Sequence, residues 1–190
     1  MVGAVGVEMD GSVIFEISNE YKWVLVAVLL NVFTYIASIC LVGSGRKKYF
    51  TQAKMEEHFG AAHKEAGLGE IKKGGYPDCG SGRYTMAMGY EAWYRFSSLQ
   101  RAGVNQMDSI SMMICMLMSA GLYYPIATAI WGIVYWIGIQ LYVVGYLKSP
   151  AWRALGAPIV LASRFALPVF TIVSLAQLAS KTVVLTAASV

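Results

Sequence analysis

The sequence predicts an all-α membrane protein, a bundle of four membrane-crossing helices. Three observations predict it. Of 190 residues, 57% are apolar and 14% charged, with a mean hydropathy of +0.54, whereas a soluble domain carries about 25% charged residues. Four stretches reach the length, roughly 20 residues, that a helix needs to cross a hydrocarbon core. Basic residues gather in two of the connections and are scarce elsewhere, the asymmetry that orients membrane helices.

Residues 1–20 read as a short tail with an amphipathic turn at Val13-Ile14-Phe15. The residues ahead of the first long apolar run are acidic, Glu8, Asp10, Glu16 and Glu20, so no cleavable signal peptide is expected. The first membrane helix covers about 21–43, with Tyr21 and Trp23 as interfacial anchors. Asn31 and Thr34 are its polar interruptions and suit helix–helix contact as well as a site. Gly43-Ser44-Gly45 is read as its stop, and the basic run Arg46-Lys47-Lys48-Tyr49 comes directly after. A polar insert of about 50–75 comes next, with a helix over Thr51–Ala66 broken by Gly67, Gly69, Gly74 and Gly75, and a turn at Tyr76-Pro77-Asp78. His58, His63, Glu57 and Cys79 match no tight ligand spacing, so no metal is expected. Gly80-Ser81-Gly82 lacks the lysine of a phosphate loop. Cys40, Cys79 and Cys115 are scattered and form no disulfide framework.

The second helix covers about 96–124 and is crowded with methionines, which suit adaptable packing. Pro125 separates it from the third, about 126–147. A short connection holding Lys148 and Arg153 leads to the fourth, about 155–179, where Arg164 stands in apolar surroundings and needs a partner or a route to water. The expected unit is one membrane domain over 1–190. The net charge of +4 and the absence of a nucleic-acid motif exclude nucleic acid as a partner. The lack of broken-helix motifs gives a transporter little support.

Two stripes carry chemistry. Arg101, Asn105 and Asp108 stand at i, i+4 and i+7, one face of a helix. A cation, an amide and a carboxylate are costly in a bilayer unless they face protein or a polar ligand. Tyr135, Tyr142, Tyr146 and Ser149 recur on one face of the third helix, where hydroxyls supply hydrogen bonds. The loop 44–105 and the Lys148–Arg153 connection hold nearly all the basic residues. The positive-inside rule puts both on the cytosolic side, or its topological equivalent, and both termini opposite. This brings Arg101, Tyr146, Arg153 and the Arg46 run to one membrane face, where a site for a small anionic ligand is expected.

Four elements in this order resemble one known family: Arg46-Lys47-Lys48-Tyr49, Gln100-Arg101-Ala102-x-x-Asn105-x-x-Asp108, Tyr142-x-x-Gly145-Tyr146, and Arg153. The combination resembles the membrane-associated proteins in eicosanoid and glutathione metabolism, the MAPEG family, over about residues 20–178. The resemblance implies a MAPEG-like four-helix subunit in a homotrimer, with glutathione bound between neighbouring subunits near the cytosolic face. It implies that Arg101 holds a glutathione carboxylate with Asn105 beside it. Asp108, where the family has glutamate, pairs with the amino group. Tyr142 and Tyr146 contact the ligand, and Arg153 stabilises the thiolate. Arg46 and Lys47 match a basic pair at the same rim.

The function so implied is that of a membrane-bound glutathione S-transferase or peroxidase, an enzyme of lipid metabolism. Glutathione is its co-substrate, with a lipophilic electrophile or lipid hydroperoxide as second substrate and no metal. Gly103, Ser109, Ile139 and Leu141 depart from the family's leukotriene-forming branch and point away from that reaction. Together with the insert they leave a second reading, a non-catalytic scaffold or accessory subunit of a larger membrane complex. The expected membrane is the microsomal one, the endoplasmic reticulum, with a mitochondrial or other organellar membrane as the alternative.

Overall fold

The computed structural model describes residues 5–7, 13–15, 17–72 and 78–188. Two short strands precede the helices. Val5–Val7 (β1) and Val13–Phe15 (β2) pair antiparallel, with Val5 opposite Phe15. The amphipathic turn expected at Val13–Phe15 is therefore a strand, in keeping with the preference of β-branched and aromatic residues for the pleated conformation. All the remaining elements are helical: α1 (Tyr21–Tyr49), α2 (Gln52–Glu65), α3 (Arg83–Met86), α4 (Tyr90–Gly121), α5 (Pro125–Lys148), a 3-10 turn (Pro150–Leu155) and α6 (Ala157–Ala188).

Four of these are long. α5 packs against α1, α4 and α6, and α4 packs against α1, α5 and α6. Val24, Met113, Leu117, Tyr135 and Leu167 are buried where they meet. Among the described residues, three helical stretches are long and apolar enough to cross a membrane: Tyr21–Tyr49, Pro125–Lys148 and Pro150–Ser180. α4 is not one of them, because it carries Glu91, Arg95, Arg101 and Asp108.

α1 runs on through Gly43-Ser44-Gly45 and the basic run to Tyr49, so the glycines do not stop it. A Cβ on Gly45 would collide with Leu99 of α4. The glycine is there for close approach of two helices, the use small residues have in membrane bundles. Asn31 and Thr34 also serve contact. The Asn31 amide donates to the carbonyl of Gly132 at 3.3 Å, and Thr34 Oγ1 accepts from Trp136 Nε1 at 3.0 Å and Gln140 Nε2 at 2.7 Å. Ser38 Oγ donates to Gln106 Oε1 at 2.5 Å. These bonds tie α1 to α4 and α5 through groups that would otherwise be unsatisfied in lipid.

α4 starts at Tyr90, earlier than expected, and ends at Gly121. The polar insert is more organised than a connection. Phe50, Met55, Ile71 and Phe96 form a second buried cluster, with Tyr49, Phe59, Tyr84 and Met88 packed against it. His63 Nε2 and the Tyr84 hydroxyl share a hydrogen bond of 3.0 Å. Of the turn expected at Tyr76-Pro77-Asp78, only Asp78 lies within the described residues, and Gly74 and Gly75 lie outside them. Asp78 organises the loop that leads into α3. Its carboxylate accepts from the backbone N–H of Gly80 (3.0 Å), Gly82 (2.9 Å) and Thr85 (2.8 Å) and from the Thr85 hydroxyl. Gly80 has φ +104, a left-handed conformation that glycine adopts without strain. Arg46 Nη2 donates to the Asp78 carbonyl at 2.5 Å, which fastens this loop to the end of α1.

Burial pushes the Asp78 carboxyl up, but the N–H groups of Thr85, Gly80 and Gly82 and the Thr85 hydroxyl together outweigh it and hold the carboxyl below its ordinary value. The folded value is thus lower than the unfolded one. Its stabilisation is fully present above the unfolded value of about 4 and is lost as pH falls through the folded one. Limited proteolysis over pH 3–7 should show the 78–88 segment opening at the acid end. In Asp78→Ala, which strands three backbone donors, it should already be open at neutral pH. Equal protection of wild type and Asp78→Ala would remove Asp78 as the organiser.

Candidate functional site

One cavity of about 510 Å3 is bordered by α4, α5, the 3-10 turn and α6, within the size range of small-molecule sites. α4 supplies Arg101, Asn105 and Asp108, α5 supplies Tyr142, and the 3-10 turn supplies Arg153. The i, i+4, i+7 stripe does place its three side chains on one side of α4. Asn105 Nδ2 donates to the Tyr142 hydroxyl at 2.6 Å, which joins the two polar stripes.

Arg153 is positioned by close backbone packing. Pro150 opens the turn, and the Trp152 N–H bonds back to the Ser149 carbonyl at 2.9 Å. Gly145 lies directly against it, since a Cβ there would be 2.5 Å from the Trp152 carbonyl oxygen and 3.1 Å from the Arg153 nitrogen. The guanidinium then reaches Tyr146, with Nη1 at 3.5 Å from its hydroxyl and Cζ at 5.7 Å from its ring centre. Tyr146 itself is buried, and its ring centre is 5.6 Å from that of Tyr142. It stands behind Arg153 and does not line the cavity.

Arg46 and Lys47 are not brought to this cavity within the chain. Arg46 is turned to Asp78, and its Nη2 also lies 3.6 Å from Cys79 Sγ, while Lys47 is exposed on the last turn of α1. Arg164 enters in their place. It lines the cavity from α6, and its Nε is buried without a hydrogen-bond partner. The sequence signal was the lone arginine in an apolar helix, which showed that it needed a partner but not where it pointed. A Ser109–Tyr135 hydroxyl pair at 3.0 Å adds a further polar group on the α4–α5 side.

The cavity therefore sees three guanidiniums, Arg101, Arg153 and Arg164, and one carboxylate, Asp108. Among the described residues the one salt bridge is Arg95–Glu91, away from this cavity. An excess of unpaired cation in a partly apolar wall suits a small ligand with more negative than positive charge. Among the described residues no group of three His, Cys, Asp or Glu side chains is placed to hold a metal.

Membrane-length helices with a cationic pocket at one end define an integral membrane protein that can receive a small polar ligand. The family model described as "MAPEG family" matches residues 24–176, a span that includes every residue lining the pocket. The chain belongs to the MAPEG family, a group of membrane proteins broadly tied to glutathione. No curated protein matches it.

Gly145→Ala tests the placement of Arg153. The added Cβ would force the Trp152–Arg153 backbone away from α5, and overpacking of this kind costs about 1–3 kcal/mol. Thermal unfolding in detergent should show a lowered midpoint. A midpoint equal to wild type would mean that the close approach does not constrain the turn.

Proposed function

We propose that this single membrane domain is a glutathione S-transferase or peroxidase that binds glutathione in the Arg101 cavity and activates it as a thiolate. The observation that carries the reading is the unpaired charge set of that cavity. Glutathione brings two carboxylates, one ammonium and a thiol. Arg101 suits a carboxylate, with Asn105 and Tyr142 supplying hydrogen bonds beside it, and Asp108 suits the ammonium. Arg153, backed by Tyr146, suits the sulfur. In this assignment Arg46 and Lys47 act on the cavity of a neighbouring copy in a homotrimer, since their own chain does not bring them to it.

A free thiol has a pKa of about 8.5, so only a few per cent is thiolate at neutral pH. A guanidinium beside the sulfur favours the anion, and arginine is suited to this because it stays charged. The thiolate then attacks the lipophilic substrate. With an epoxide, the C–S bond forms, the C–O bond breaks, and the oxygen takes the electron pair and a proton. The apolar wall of Met112, Val160 and Leu161 supplies contact for such a substrate. The endoplasmic reticulum is the membrane proposed, and cell fractionation separates it from a mitochondrial or other organellar one.

A second reading, an accessory subunit of a larger membrane complex, is favoured by the insert. Leu68 within it and Met86 and Tyr90 after it are 67%, 79% and 75% exposed, apolar side chains that a partner protein would cover. Foreign subunits retained after gentle solubilisation would favour it, and migration as a homotrimer alone would count against it.

The catalytic reading is tested by the ultraviolet absorbance of the bound thiolate as a function of pH. In wild type the thiolate should appear about one to two pH units below free glutathione, and in Arg153→Ala near the free value, with turnover reduced tenfold or more. Full turnover in Arg153→Ala would remove the mechanism.

A further inference from the structure

A second cavity, of about 420 Å3, opens among the last turns of α1 and α5 and the first turns of α4. It shares no lining residue with the Arg101 cavity. Each helix contributes one cation to it: Lys48 from α1, Arg95 from α4 and Lys148 from α5. Hydroxyl groups stand among them on Tyr49, Tyr94 and Ser149. The carboxylate in the set is Glu91, paired with Arg95 at 2.9 Å. An adjoining hollow of about 520 Å3 is lined by Lys48, Tyr49, Glu91 and Arg95 as well.

Helix ends explain part of this. Lys48 and Lys148 lie in the last turns of α1 and α5, where cations complement the helix dipole. Arg95 does not fit that account. It stands near the N-terminal end of α4, where the dipole disfavours a cation, and its charge is added to the same cavity. Three helices thus converge their positive charge on one space with a single opposing carboxylate.

The surface beneath that space indicates the occupant. Leu147 lines it, and Val144, Leu141 and Ile137 continue along one side of α5, 59%, 41% and 44% exposed. α5 is one of the membrane-length helices. A charged hollow above an exposed apolar strip matches a ligand with an anionic head and apolar tails. We infer that this cavity is a binding site for an anionic membrane lipid. Lys48, Arg95 and Lys148 surround its phosphate, and its acyl chains lie along Leu147, Val144 and Leu141. This site is independent of the glutathione reading.

The test uses the full chain reconstituted in vesicles of equal phosphatidylglycerol and phosphatidylcholine, extracted in mild detergent, with retained lipid measured by native mass spectrometry. Wild type should retain phosphatidylglycerol in preference. Lys48→Gln with Lys148→Gln should cut that preference about tenfold or more. Lys54→Gln with Lys64→Gln, the same charge loss on the exposed side of α2, should leave it unchanged. Glu91→Gln should raise the preference, a result that remains readable if the double lysine variant fails to fold. No preference in wild type, or an equal fall in the α2 control, would overturn the site. Displacement by an equal concentration of glycerol phosphate would overturn its assignment to a lipid.

Discussion

Arginine in a low-dielectric setting must find a counter-charge, water or a ligand, and in this protein three arginines border one cavity with a single carboxylate among them. Charged groups at membrane depth are costly, and the cavity wall is partly apolar. Arg164 makes the point most sharply, since its Nε is buried without a partner. The arrangement is understandable if negative charge arrives from outside the chain. A rigid frame is then needed, because guanidiniums that could fold back on Asp108 would pair with it.

That frame is made by contacts too close for ordinary side chains. Gly45 lets α1 lie against Leu99, Gly145 lets the 3-10 turn lie against α5, and Gly156 lies against the backbone of Gly138 and Tyr142. The last two hold Arg153 and the start of α6 where they border the cavity. On the α1 side, the Ser38–Gln106 and Thr34–Gln140 bonds fix α4 and α5 relative to α1. α4 carries Arg101, Asn105 and Asp108 on a helix packed against three others, and Arg153 comes from the 3-10 turn that joins α5 to α6.

Much of this was legible in the chain. The spacing of Arg101, Asn105 and Asp108 specified one helix face, and Tyr142 is brought to the same cavity and bonded to Asn105. Long apolar runs marked the helices. The features that were not legible depended on neighbours distant in sequence. Gly43-Ser44-Gly45 read as a stop because a glycine that ends a helix and one that admits a second helix look alike in sequence. Met55 and Ile71 were isolated apolar positions in a polar stretch, and only the folded insert makes them a cluster with Phe50 and Phe96. Asp78 read as a turn residue, although its carboxylate holds the stretch from Gly80 to Thr85. The direction of Arg46, toward Asp78 and away from Arg101, followed from that same loop.

On the proposed function, the arginines of this cavity await glutathione. Calorimetric titration of glutathione into the nanodisc-embedded protein, wild type beside Arg101→Ala, tests it most directly. Saturable binding is expected in wild type, weakened about tenfold to a hundredfold in the variant by loss of a charge-assisted hydrogen bond. Equal affinity in the two proteins, or no binding by wild type at millimolar glutathione, would contradict it.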